Sequence, residues 1–198
     1  VSFSLSNNES ERTESPSEGP VSSNPLRELL GWMKWFAFAL ALVVLMHQFV
    51  FHLSTVKGES MQPTLEEGEW LFINKTMRYA GTPPKRGDVV VIQEPPGSES
   101  MHPFLVKRVV AVAGDEVHIR GGKLYVNGSE AQEAYTDSNI EDGRFEPYTV
   151  AEGHLFVMGD NRHRYASYDS RTFGAIPVTR VVGRAEWIVW PPQKWRSL

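Results

Sequence analysis

The chain has 198 residues, 20 Lys and Arg against 24 Asp and Glu, and a formal net charge of −4. That length holds one domain of ordinary size plus a tail, and the mild acidity, without any basic stripe, excludes a nucleic-acid surface. Cysteine is absent, excluding disulfides, thiolate nucleophiles and Cys-bound metals, and the six histidines form no His-Glu-x-x-His cluster that would suit a catalytic zinc.

In chain order, Val1 to Asn24 is rich in Ser, Asn, Glu and Pro with almost nothing to bury. It reads as part of a disordered polar tail covering residues 1–29, without the Arg-rich, acid-poor character of a transit peptide. Trp35 to Met46 is uninterruptedly apolar. Carried on through His47, Gln48, Phe49, Val50, Phe51 and His52 to Leu53, it makes a helix of roughly 28 Å, enough to span a bilayer core. Residues 30–54 are therefore expected to form a transmembrane helix, with a buried or interfacial helix as the alternative. Trp32 and Trp35 suit the interfacial belt, and Arg27 and Lys34 before the segment against Lys57 after it bias the N-terminus inward. A cleaved signal fits poorly with the long acidic leader and the lack of a small-x-small site.

Beyond it the texture changes to short β-branched runs broken by Gly and Pro. Strands are expected at Trp70–Asn74, Asp88–Gln93, Phe104–Ala113, Glu116–Arg120, Lys123–Val126, His154–Met158 and Val181–Trp190. Gly121-Gly122 joins two of them in a tight hairpin, and Asn127-Gly128 marks a second turn. Pro83-Pro84 and Pro95-Pro96 punctuate loops, and the polar stretch Ser129–Pro147 reads as a surface excursion with little regular structure. No long amphipathic helix competes. Residues 55–198 are expected to form a mainly β, antiparallel domain of two sheets or a partly closed barrel.

Three segments could carry chemistry. Ser60, in Ser60-Met61-Gln62-Pro63-Thr64-Leu65, is a candidate nucleophile, although taken alone the segment is better explained as an N-cap or turn. A serine hydroxyl needs a base within hydrogen-bonding reach. Alternation along Phe104–Val110 puts Lys107 on one face with Leu105 and Val109. If that face is buried, desolvation lowers the ammonium pKa toward that of a working base; if not, Lys107 is a solvated strand lysine. The third segment runs from Gly159-Asp160-Asn161-Arg162 to Ser167-Tyr168-Asp169-Ser170-Arg171, polar and loop-like after an apolar strand. It can supply supporting groups or be an ordinary turn.

Together these segments resemble the type I signal peptidases, membrane-bound Ser/Lys endopeptidases that remove signal peptides from exported proteins. The resemblance spans roughly Leu30 to Trp190. Its motifs come in family order: Gly58-Glu59-Ser60-Met61-Gln62-Pro63-Thr64-Leu65, Gly87-Asp88-Val89-Val90-Val91, Lys107-Arg108 through Gly114-Asp115, then the Gly159 and Ser167 segments. The resemblance implies Ser60 as nucleophile, its N–H as an oxyanion donor, and Lys107 as general base. It also implies Ser167 as the group orienting Lys107, with Arg108, Asp169 and Arg171 as an ionic cluster. Asp160 would lie in the adjoining loop, and Met61 would shape the surface beside the nucleophile. No metal or organic cofactor is implied. The implied partners are signal peptides of exported preproteins, membrane lipid and the export translocon. The implied location is the cell membrane, single-pass, with the N-terminus cytoplasmic and the β domain outside.

Two features depart from the family's pattern. Gly58 stands where members with a larger architecture carry a serine, as in the smaller single-anchor members of the Gram-positive type. Four residues, His163, Arg164, Tyr165 and Ala166, separate the last two motifs where two are usual. The rival readings are a self-cleaving repressor-like Ser/Lys peptidase, which would need a DNA-binding helix-turn-helix before the β domain, and a catalytically impaired relative that only binds precursors.

Overall fold

Runs such as Val89-Val90-Val91-Ile92 are apolar on both faces, so they are stable only as interior strands with neighbours on each edge. The computed structural model of the protein describes residues 25–95, 103–141 and 143–198; the polar leader expected over 1–24, and Pro96, lie outside the described residues. The strands are β1 (Phe51–Thr55), β2 (Trp70–Asn74), β3 (Val89–Gln93), β4 (Phe104–Val112), β5 (Glu116–Arg120), β6 (Lys123–Val126), β7 (Ser129–Glu130), β8 (Phe145–Thr149), β9 (His154–Met158), β10 (Ile176–Pro177), β11 (Val181–Trp190) and β12 (Arg196–Ser197). They form a curled antiparallel sheet in the order β1-β2-β11-β3-β4-β9-β10, with β12 on β11, and a second sheet in the order β7-β6-β5-β8. The expected mainly β, antiparallel, two-sheet architecture is the one that forms.

The apolar segment begins as α1 (Pro25–Leu45), none of whose residues is buried. The span Pro25–Val50 is long and apolar enough to cross a membrane, and a helix greasy on every side with no buried residue suits lipid rather than water. The chain divides into a unit ending at Leu42 and a second, Val43–Leu198, that holds all the strands found among the described residues. The expected helix to Leu53 is too long. After Leu45 the chain makes one wide turn, Met46–Val50, and is extended from Phe51. Phe51 to Thr55 pair residue by residue with Asn74 to Trp70, which exchanges intrahelical bonds for ladder bonds and stacks Phe51 on Phe72. Lys75 Nζ donates to the carbonyl of Gln48 at 3.3 Å, satisfying a helix-end carbonyl with a cation.

The excursion 129–147 is irregular only in part, because Phe145–Thr149 pairs with β5. Its Pro147 is tolerated because β8 is an edge strand and the register slips between Val117 and Ile119, where no ladder bond is needed. Phe145 and Tyr148 both pack on Phe156, an aromatic contribution to the core that a hydropathy reading of this polar stretch does not register.

Three apolar clusters hold the second unit. One, with Ile119, Leu124, Val150 and Phe156, includes residues of both sheets. A second, with Met61, Leu65, Leu71 and Ile73, lies under the Ser60 turn. The third, with Val90, Val109 and Val157, lines the middle of the large sheet. β4 is central in that sheet, bonded to β3 on one side and β9 on the other. Side chains that leave it start from a backbone fixed on both edges.

Candidate active site

Ser60 lies in the turn after Val56, which is tied by Val56 N–H to Glu69 O and by Leu65 N–H to Met61 O. Buried Met61 and Leu65 root the turn in the apolar cluster beneath it, leaving the Ser60 side chain turned to the end of Lys107. Lys107 Nζ donates to Ser60 Oγ at 2.6 Å, although 47 residues separate the two in sequence. The Ser60 carbonyl accepts from Asn161 N–H at 3.1 Å and the Glu59 carbonyl accepts from Asn161 Nδ2 at 3.0 Å. Among the described residues nothing accepts the Ser60 N–H, so that donor is available to an incoming carbonyl oxygen.

Lys107 is 2% exposed; its cross-strand neighbour is Val90, and Val90 and Val109 are fully buried. Desolvation therefore dominates and draws its pKa down from 10.5 to about 8, against the opposing pull of the Asp169 and Asp160 charges and with a small further lowering from Arg171. An ordinary lysine is almost wholly protonated at neutral pH. This one carries an appreciable neutral fraction, next to a serine hydroxyl.

The remaining predicted residues surround this pair. Arg108 donates through Nε and Nη2 to Asp160 at 2.8 and 2.6 Å, and through Nη1 to the Gly87 carbonyl at 2.8 Å. Asp160 is fully buried and Arg108 nearly so, which makes this a fork-to-fork pair shielded from water. Asp169 is also buried; burial alone would raise its carboxyl, but Arg171, at 2.9 Å from each carboxylate oxygen, and the Gly159 N–H hold it below the usual range. Asp169 also caps the short helix Ser170–Phe173 by accepting from Arg171 N–H.

Ser167 is buried beside Gly159. Its hydroxyl is close enough to Asp169 to favour that charge, but Oγ makes no hydrogen bond of acceptable geometry. No bond from Ser167 to Lys107 occurs here. The lengthened loop turns outward: Tyr165 is 90% exposed with a φ of 60°, and Arg164 N–H and His163 bond to the Glu141 carboxylate. The two extra residues are thus absorbed at the surface while Ser167 stays inside. Gly159 explains why: a Cβ there would lie 2.3 Å from both the Ser60 carbonyl oxygen and Ser167 Oγ, so only glycine allows the two segments to close on one another.

A cleft of about 240 Å³ opens beside the pair, walled by Val56, Met61, Val91, Leu105 and Val106 with Ser60 and Lys107 at its end. Apolar walls ending on a nucleophile and a base suit an extended peptide with short side chains. A larger cleft of about 520 Å³, between Met77, Pro83 and Val178, holds no such pair; chemistry rather than size marks the site. No group of three or more His, Asp or Glu side chains able to hold a metal occurs among the described residues.

Four residues of this region are given no individual role by the sequence: Asn161 and Arg162, which lie inside the third candidate segment, and Glu133 and Tyr135, which lie outside all three. Arg162 is 1% exposed, and its Nε donates to the Gly159 carbonyl at 2.8 Å while its other nitrogens bind the Glu133 carboxylate. An Arg within a Gly-Asp-Asn-Arg turn is the only hint, and nothing local indicates that it is buried.

The model of the family described as signal peptidase, peptidase S26, matches residues 29–190. The chain belongs to this family. A protein named signal peptidase I from Bacillus licheniformis is 38% identical to it over 180 residues, covering 86% of this chain and 93% of that protein. Signal peptidase I T of Bacillus subtilis (strain 168) is 37% identical over 178 residues, 85% and 89% of the two chains. The crystal structure of a signal peptidase I from Enterococcus faecalis V583 aligns with 31% identity over 51% of this chain and 95% of that one, at a TM-score of 0.42. With its N-terminal apolar helix, this member of the signal peptidase family is a membrane-anchored protein.

Proposed function

We propose that the protein is a serine endopeptidase that removes N-terminal signal peptides from exported preproteins, with Ser60 as nucleophile and Lys107 as general base. The observation that carries this reading is the 2.6 Å contact between Lys107 Nζ and Ser60 Oγ in a desolvated setting. Neutral Lys107 accepts the Ser60 proton as Oγ attacks the scissile carbonyl, and the Ser60 N–H faces the oxygen on which charge develops. The resulting ammonium donates its proton to the leaving amine. Lys107, neutral again, draws a proton from water as that water attacks the acyl-enzyme.

Arg108–Asp160 and Asp169–Arg171 support the base without displacing it. Each carboxylate has its own arginine; desolvation still outweighs the upward pull of Asp169 and Asp160 on Lys107, with Arg171 lowering it a little further. Met61 forms the floor of the cleft beside Ser60. Ser167 is buried beside Gly159 and Asp169, and its role of orienting the lysine rests on the family's pattern. The relatives are named signal peptidases, and neither the repressor-like nor the binding-only alternative is favoured.

The catalytic domain is assigned to the outer side of the membrane, with the N-terminus cytoplasmic, because Arg27 and Lys34 precede the span and Lys57 follows it. Membrane lipid is a partner on the strength of exposed Trp70, Trp187 and Trp190, carried on the paired strands β2 and β11. The export translocon is the natural supplier of the substrate.

The test is cleavage of a preprotein with alanine at the first and third positions before the cut, using the full chain in lipid vesicles. Ser60→Ala and Lys107→Met, made separately, each abolish processing while the fold persists. A wild-type protein that leaves the preprotein intact, or a fully active Lys107→Met, refutes the mechanism.

A further inference from the structure

The irregular segment between β7 and β8 reads in sequence as surface, yet two of its side chains are built into the back of the site. Glu133 is 12% exposed at its side chain and engages the buried Arg162 with both oxygens. Tyr135 donates its hydroxyl to Glu133 Oε1 at 2.8 Å, and its ring lies over the Arg108 guanidinium at 4.1 Å. The segment is pinned on both sides of these residues: Ala131 N–H donates to the Leu124 carbonyl, and Ile140 N–H to the Gly122 carbonyl. Buried Ile140 joins the cluster formed with Ile119 and Leu124.

Two lines of contact run from this segment to the reacting groups. Glu133 holds Arg162, Arg162 holds the Gly159 carbonyl, and the Gly159–Asn161 backbone and side chain hold the carbonyls of Glu59 and Ser60. Tyr135 covers Arg108, which grips Asp160 and is the residue next to Lys107 on β4. We propose that Glu133 and Tyr135 are positioning residues for the Ser60–Lys107 pair, acting through Arg162 and through the Arg108–Asp160 ion pair. The inference rests on the peptidase reading above.

Charge gives it a second basis. Arg162 also feels Asp160; without a carboxylate at position 133 it competes with Arg108 for that carboxylate. The groups acting on Lys107 are Asp169, Asp160 and Arg171, together with the Ser60 hydroxyl. Leaving Arg162 unneutralised makes their surroundings one positive charge richer, which disfavours the ammonium form of Lys107. A misplacement of about 1 Å in the reacting pair is enough to lower turnover by about two orders of magnitude.

The experiment measures kcat and KM of the full chain in vesicles from pH 6 to 10, with the same alanine-bearing preprotein. Glu133→Gln is expected to lower kcat at least about tenfold with KM within about twofold of wild type. Its acidic limb moves to lower pH, a displacement that simple loss of folded protein does not produce. Tyr135→Leu lowers kcat similarly, while Tyr135→Phe, which keeps the ring over Arg108, returns most of it. A Glu133→Gln protein with wild-type kcat and an unmoved limb overturns the proposal, as does a Tyr135→Phe no better than Tyr135→Leu. If Glu133→Gln does not fold, the two tyrosine variants decide alone. An inert wild type, or an active Ser60→Ala, defeats the peptidase reading; an active wild type with inert Ser60→Ala and unaffected Glu133→Gln defeats only this inference.

Discussion

Replacing Lys107 by methionine separates what the buried lysine does for chemistry from what it does to stability. The pKa of about 8 against an ordinary 10.5 means that the folded state favours the neutral amine. At about 1.4 kcal/mol per unit, the interval corresponds to about 3 kcal/mol. The sign follows from proton counting. Below pH 8 the lysine is charged in both the folded and unfolded chains, and the full penalty of burying the ammonium is present. Between pH 8 and 10.5 the unfolded chain binds the extra proton and stability rises with pH; above 10.5 both states are neutral and the penalty is gone.

Wild-type protein is therefore expected to gain about 3 kcal/mol between pH 7 and pH 10.5 that Lys107→Met does not gain. Other lysines and tyrosines titrate in both proteins and drop out of the difference. The assay is chemical denaturation of the two proteins in detergent at both pH values, paired with wild-type processing rates. Those rates rise about tenfold per pH unit below 8 and level off above it, since only neutral Lys107 is a base. Identical pH dependence of stability in the two proteins, or a wild-type rate flat from pH 6 to 9, refutes the reasoning.

Gly159→Ala forces a methyl group to 2.3 Å from the Ser60 carbonyl and Ser167 Oγ; processing is expected to fall at least about a hundredfold from displacement of the nucleophile, measured as single-turnover cleavage. Asp160→Asn leaves the Arg108 guanidinium buried without its anion and is expected to cost about 3 to 5 kcal/mol of stability, read by denaturation. Ser167→Ala removes a buried hydroxyl that has no hydrogen-bond partner here, so stability changes by less than about 1 kcal/mol. Its processing rate then decides the orienting role directly: an unchanged rate removes Ser167 from the site.

How far the fold could be read in advance depended on whether a segment's information was local. The hairpin Glu116–Arg120 to Lys123–Val126 was legible to the residue because alternation and the Gly-Gly turn both lie within it. β1 was not, because Phe51-His52-Leu53 continues the apolar run of the anchor, and only pairing with Trp70–Asn74 ends the helix. β8 was hidden for the opposite reason: a proline and a glutamate make it look like loop, while the aromatic packing on Phe156 that holds it is remote in sequence. The Ser60 and Lys107 segments were recognisable mainly as members of an ordered set of motifs. Each alone is better explained as a turn or a solvated strand.

The same distinction explains why Glu133 and Tyr135 escaped notice. Arg108 and Arg162 are both buried cations, and burying a guanidinium is tolerable only when its anion is buried with it. Asp160 satisfies one of them. A single carboxylate cannot serve both arginines bidentately, so the fold needs a second anion behind the site, and Glu133 supplies it from a stretch whose composition reads as surface. Counting buried cations against buried anions around the motif thus points to a missing acidic partner before its position is known. Tyr135, bonded to that anion and stacked on the other arginine, joins the two pairs into one assembly. The lysine at its edge is then the one cation in the group without a carboxylate of its own, and desolvation is left to set its pKa.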